Sequence, residues 1–153
     1  MLHCLRYSQK LPISIDVAWN FFSSPTNLKI LTPDYLNFKT VSISRDKIYA
    51  GQIIEYTIRP IANIPITWVT EITHVKENEY FVDEQRFGPY QFWHHEHHFA
   101  IIENGVEIAD IIYYKMPFSF LGQLLNEYKV KKDLEKIFLF RKAKLDELFG
   151  VYS

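Results

Sequence analysis

Between residues 37 and 116 apolar and polar side chains alternate in six successive runs, and after Pro117 the alternation gives way to helical spacing. Period two puts alternate side chains on opposite faces of a strand, whereas period 3.6 puts every third or fourth on one face of a helix. The strand runs cover 37–44, 51–60, 64–75, 79–87, 92–103 and 106–116. They are punctuated by Gly51, the segment from Pro60 to Pro65, Glu77-Asn78, Gly88-Pro89 and Asn104-Gly105. A looser alternation over 2–11 predicts a first strand. Ser14 can cap a short helix through Val17, Ala18, Phe21 and Phe22. Ser24-Pro25 starts a second helix with Leu28 and Leu31 on its apolar side, and Thr32-Pro33 ends it.

The last stretch, 119–149, has Leu121, Leu125, Tyr128, Leu134, Phe138, Arg141, Leu145 and Leu148 at helical intervals. Its charged run NEYKVKKD is expected to bend the helix near residue 130. A sheet of this size needs a cover for its apolar face, and only this helix is long enough. The expectation is an α+β fold, with about seven antiparallel strands curled around a long C-terminal helix and two short helices after the first strand. Tyr128, Phe138 and Leu145 should turn inward. One helix over a curved sheet can leave a gap, and such gaps take ligands. Twelve Phe, ten Tyr and three Trp would line it or fill it.

At 153 residues with no linker or repeat, the chain reads as one domain, 1–153. Seventeen basic and eighteen acidic residues give no charge excess for a nucleic-acid partner. The single cysteine, Cys4, has no internal disulfide partner. The stretch MLHCLRYSQKLP lacks the apolar core expected of a signal peptide, and no run approaches the ~20 apolar residues of a spanning helix. The expected location is the cytoplasm, with no integral membrane association.

Four of the six histidines lie in GPYQFWHHEHHF, residues 88–99. A two-residue turn at Asn104-Gly105 would pair Glu103 with Val106, setting Phe99 opposite Asp110, His97 opposite Ile112 and His95 opposite Tyr114. Trp93, His95, His97, Phe99, Ile101, Ile108, Asp110, Ile112 and Tyr114 then share the apolar face, while His94, Glu96 and His98 face water. Asp110 lies diagonal to His97 and, if buried, needs a partner. Three readings stay open: a satisfied polar network in a core, a polar patch orienting an apolar ligand, or a His-x-His metal site with Asp110 as third ligand. Tyr56 and Trp68 occupy inward parity as cavity wall or core. Arg59 and Glu71 fall on the outward parity. Arg141, on the apolar stripe of the helix, needs Asp110 or Glu84 as partner. There is no glycine-rich phosphate loop, and Cys4 has no visible base beside it.

NLKILTP (27–33), WVTEI (68–72), FVDEQRFGPYQFWHHEHHF (81–99), the D-x-I-x-Y of Asp110 to Tyr114 with Pro117, and KDLEKIFLFR (132–141) resemble the START-like, or SRPBCC, superfamily. The closer likeness is to its bacterial ligand-binding branch, neighbours of the polyketide cyclase/dehydrase group. Trp93, His95, His97 and Phe99 meet its W-x-H-x-H-x-F core. The resemblance implies a helix-grip fold with a cavity between sheet and helix for a lipid-, isoprenoid- or polyketide-like molecule. Its wall would include Tyr56, Trp68, Trp93, His95, His97, Asp110, Tyr114, Phe138 and Arg141. The rival is a cyclase or dehydratase in which His95, His97 and Asp110 move protons and Tyr114 holds an oxyanion. No cofactor or resident metal is assigned.

Overall fold

The computed structural model describes residues 1–59, 64–116 and 120–153, with side chains for all of these except 120–127. Pro60, Pro117 and the side chains of Leu121 and Leu125 therefore lie outside the described residues. In chain order the elements are β1 (His3–Leu11), α1 (Ile15–Phe22), two 3-10 turns (Pro25–Lys29 and Asp34–Leu36), β2 (Lys39–Ile43), β3 (Gln52–Ile58), β4 (Ile66–Lys76), β5 (Tyr80–Phe87), β6 (Phe92–Ile102), β7 (Gly105–Lys115) and α2 (Phe120–Phe149).

The Ser14 hydroxyl accepts the Val17 N–H at 3.3 Å, so α1 begins where the sequence places it. The segment after Ser24 is different. It forms a 3-10 turn rather than an α-helix, and Ser24 Oγ bonds Thr26 Oγ1 instead of capping the backbone. Five residues ended by a proline are too few to nucleate an α-helix without such support.

All seven strands are antiparallel in the order β1-β7-β6-β5-β4-β3-β2. The sheet is curved, and α2 completes the helix-grip arrangement. The chain returns β7 to pair with β1, which leaves β1 and β2 as the sheet edges and β7, β6, β5, β4 and β3 paired on both sides.

The β6–β7 hairpin departs from the sequence expectation in register. Ile102 pairs with Gly105, so the turn residues are Glu103 and Asn104 rather than Asn104 and Gly105. Asn104 takes the left-handed conformation, φ 57°, that the glycine was expected to supply. Gly105 serves another purpose. A Cβ there would lie 2.2 Å from the Leu11 carbonyl oxygen, so glycine lets the hairpin close against β1. The pairing therefore shifts by two residues: His97 faces Asp110, His95 faces Ile112, and Phe99 faces Ile108. A shift of two preserves parity, so the predicted faces survive. One member does not follow. Ile101, expected inward, is 76% exposed where the sheet edge runs past the cover.

α2 runs unbroken through NEYKVKKD, which contains good helix formers and bends nothing out of the helical assignment. Leu134, Arg141 and Leu145 are buried along one stripe. Tyr128, expected inward, is 63% exposed, with the Lys132 ammonium 4.3 Å from its ring centre. It stands six residues before Leu134, about a third of a turn off the stripe. Val130 takes the inward place and packs with Leu134 against Trp93, Ile112 and Tyr114. Among the described residues no helix is long and apolar enough to cross a membrane.

Replacing Gly105 by Ala should cost about 1–3 kcal/mol through the forced separation of β7 from β1. The check is a chemical-denaturation midpoint; an unchanged midpoint would mean that the hairpin does not close on Leu11.

Candidate functional site

Along the inward face of β6 the order is Trp93, His95, His97, Phe99, all four buried. The two ends join separate apolar clusters. Phe99 packs with Trp19, Phe22, Phe81 and Ile108, while Trp93 packs with Ile112, Tyr114 and Leu134. The two histidines occupy the gap between those clusters, and their partners come from both neighbouring strands. β5 sets Asp83 opposite His95, and β7 sets Asp110 opposite His97.

The hydrogen bonds run diagonally. The His97 Nε2 and Asp83 Oδ2 atoms are 2.7 Å apart, and His95 Nε2 and Asp110 Oδ1 are 3.0 Å apart. The square is completed by His97 Nδ1 to Asp110 Oδ1 at 2.9 Å and His95 Nδ1 to Asp83 Oδ2 at 3.4 Å. The last two are charge contacts, since neither has the alignment of a hydrogen bond: His97 Nδ1 is close to its oxygen but badly directed. The rings themselves overlap, with His95 and His97 centres 3.8 Å apart and Phe81 stacked on His97 at 4.1 Å.

From the other side, α2 lowers Arg141 onto Asp110, with a guanidinium nitrogen 3.4 Å from Oδ1. This settles the partner that the sequence left between Asp110 and Glu84. Glu84 belongs to the outer face, where it pairs with Arg86 and His94, while Glu96 bridges His94 and His98. Those outer histidines are part-buried and paired rather than simply solvated. Arg59 and Glu71 are likewise part-buried, and Glu71 pairs with Arg86 at 2.6 Å.

Burial opposes every charge in the square, so only mutual pairing can sustain them. At Asp110 burial pushes the carboxyl up, but Arg141 and then the bonds from His95 and His97 hold it well below its usual range. At Asp83 burial is outweighed by the charge of His95 and by the bond and charge of His97, with a smaller pull from the Trp93 indole, and the carboxyl stays low. The two histidines part company. Burial lowers both, but the close contact with Asp110 and the bond to Asp83 carry His97 above its ordinary value. At His95 burial and the neighbouring His97 charge win, and the ring is held below its ordinary value.

The other predicted wall residues fall into neighbouring groups. Trp68, Trp93 and Tyr90 form a contiguous aromatic group, and Tyr114 joins it by packing against Tyr90 and Trp93. Tyr56 packs against Phe38 with the rings tilted, and burial followed by the charge of Asp83 pushes its phenol up. Phe138 stands over the square, edge-on to His95 and stacked on Tyr7 at 4.0 Å. A cavity of about 100 Å³ opens beside it, lined by Tyr7, Ile108, Phe138 and Leu145 with Asp110 and Arg141 at its polar end. Asp83, Tyr7 and Tyr90 were not read from the sequence as site residues. For Asp83 one signal was present, since it shares the parity of Phe81 in its run.

No protein-family model matches the sequence, and no curated protein is significantly similar to it. Solved structures do match over nearly the whole chain. The Zhui aromatase/cyclase from Streptomyces sp. R1128 superposes with a TM-score of 0.74 at 8% identity, covering 95% of this chain and 92% of that one. A protein from Chromobacterium violaceum gives 0.71 at 10% identity, covering 97% and 98%. The ginseng major latex-like protein from Panax ginseng gives 0.66 at 11% identity, covering 97% of each. At such identities the likeness is one of fold: a curved seven-stranded antiparallel sheet gripping a long C-terminal helix.

Two measurements follow from the square. In metal-free buffer, NMR titration should place His97 above the ordinary value of 6.5 and His95 below it. Because the folded pKa of His97 is raised, its share of stability is complete below about pH 6.5 and fades as pH climbs through the folded value. The depressed Asp110 works the other way: its share is present above 3.8 and is lost as pH falls through the folded pKa. Coincident midpoints for the two rings would show that they share one environment. Separately, Arg141→Met should destabilise the protein by about 3–5 kcal/mol by stranding a buried carboxylate, as read from thermal or denaturant unfolding.

Proposed function

We propose that the protein binds a small, largely apolar molecule of lipid-, isoprenoid- or polyketide-like chemistry between α2 and the inner face of the sheet. The observation that carries this reading is the cavity beside Phe138, where Tyr7, Ile108, Phe138, Leu139 and Leu145 supply apolar wall, the Asp110–Arg141 pair a buried polar spot, and Ser8, Gln9 and Lys142 a polar rim. Apolar walls supply affinity by excluding water, and a single polar spot orients the ligand. The fold shared with the Zhui aromatase/cyclase supports a role in which the sheet and helix enclose such a molecule.

The size of the space sets a condition on the binding. About 100 Å³ is below the ~300–1,000 Å³ of drug-sized ligand sites. A molecule of more than a few heavy atoms enters only if α2 moves away from β1. The ties that resist this are local: Gln9 Nε2 donates to Asp146 Oδ1 at 2.7 Å and to the Lys142 carbonyl at 3.1 Å. The enzymatic alternative has less support, because Tyr114, its oxyanion donor, is 1% exposed and packed in the aromatic group away from this lining.

Native mass spectrometry of the purified protein, with displacement of an apolar fluorescent dye, tests the reading. The wild type should bind, and Ile108→Phe, which fills the void, should weaken binding at least tenfold while remaining folded. His97→Gln should weaken it by about 1–3 kcal/mol through one unsatisfied polar group. Unchanged dye binding in Ile108→Phe would place the ligand elsewhere. Retained binding with turnover lost in His97→Gln would favour the enzyme.

A further inference from the structure

Both imidazoles spend one ring nitrogen on Asp110 and aim the other at Asp83. His95 Nε2 and His97 Nδ1 lie 3.0 and 2.9 Å from the same oxygen, Asp110 Oδ1. Their remaining nitrogens, His95 Nδ1 and His97 Nε2, lie 3.4 and 2.7 Å from the same oxygen of Asp83, Oδ2. Two nitrogens and one carboxylate oxygen thus converge, and a second carboxylate stands on the far side of both rings, hydrogen-bonded to His95 and in charge contact with His97. A carboxylate behind each histidine is what orients imidazole ligands in metal centres and raises their basicity. We propose that Asp83, His95 and His97 bind a divalent transition-metal ion of the zinc class, with Asp110 as the outer carboxylate that holds both rings.

The roles of the two carboxylates follow from Arg141. Its guanidinium already sits on Asp110, which repels a second cation from that side. Among the described residues the ion-pair partners of Asp83 are the two histidines alone. The donor atoms of Asp83, His95 and His97 all lie within 4.8 Å of one another. Bonds of about 2.0–2.2 Å in tetrahedral geometry put neighbouring donors about 3.3–3.5 Å apart. The His95–Asp83 contact already has that spacing, and the His97–Asp83 contact must open by about 0.7 Å. Asp83 can supply that movement, since its side chain is the most accessible of the three at 17%. Two imidazoles with a carboxylate suit zinc, iron, cobalt or nickel better than magnesium or calcium. Three protein donors leave a position for water or for a ligand atom.

The test uses full-length protein stripped with a chelator and titrated with zinc by calorimetry, then with cobalt(II) by visible absorption. One equivalent should bind, raise the melting temperature, and give the intense visible bands of low-coordinate cobalt. The double variant His94→Gln/His98→Gln, which removes the outer histidines, should bind as the wild type does. Asp83→Asn and His95→Gln should each weaken binding at least tenfold, and Asp110→Asn by about 10–100-fold. Histidine ring-nitrogen NMR on the wild type needs no variant: one equivalent of zinc should shift His95 Nδ1 and His97 Nε2. Failure to bind, or unshifted inner rings at stoichiometric zinc, would overturn the proposal. So would binding that survives in Asp83→Asn and disappears in the outer double variant.

Discussion

Two carboxylates, two imidazoles and a guanidinium meet at the centre of the buried face, and the architecture depends on their neutralising one another. An unpaired ion there would cost several kcal/mol even after relaxation. Each contact in the group therefore fixes more than itself. The Asp110–His97 and Asp83–His95 pairings set β7 and β5 in register on either side of β6. The Arg141–Asp110 contact sets the rotation of α2, because the stripe carrying Arg141 also carries Leu134 and Leu145. A slip of any strand by one residue would turn its ionic member to water and leave the others unpaired.

The apolar packing is divided by this polar centre rather than continuous across it. On one side Trp19, Phe22, Phe81, Phe99 and Leu145 pack around α1 and the end of α2. On the other Trp93, Ile112, Tyr114 and Leu134 pack beneath the middle of α2. The Arg141 guanidinium spans part of the boundary, lying over the rings of Phe22 and Phe138 at 5.1 and 5.5 Å. Such cation–ring contacts let a charged group rest among aromatics at lower cost than among alkyl groups. The cavity lies at that boundary, where neither apolar cluster fills the space.

Placing a buried ionic group beside a small void gives the site two separable capacities. The void with its Asp110–Arg141 end suits a ligand held mainly by exclusion from water. The opposite side of the square, where both rings face Asp83, has the donor set of a metal centre. His95 and Phe138 stand in contact between them, so occupancy of one side would be felt at the other through the ring positions.

The sequence alone determined the order of elements, the parity of every strand discussed and the inward face of the histidine pair. Those follow from local periodicity, which a two-residue register error leaves intact, as the β6–β7 hairpin shows. It could also say that Arg141 required a carboxylate, because its place on an apolar stripe is a local fact. What it could not determine were distances between strands. The signal at Asn104-Gly105 was strong, but its glycine answers to the Leu11 backbone from the far end of the chain, and only the pairing of β7 with β1 reveals that demand. Asp83 was legible as an inward side chain, yet its position opposite His95 depends on how the Gly88–Gln91 connection closes β5 onto β6. Tyr128 faces out because it stands about a third of a turn off the stripe of Leu134, Arg141 and Leu145, and the Arg141–Asp110 contact turns that stripe inward. Periodicity is a property of neighbours in sequence, whereas the square and its cavity are made by residues that only tertiary packing brings within bonding distance.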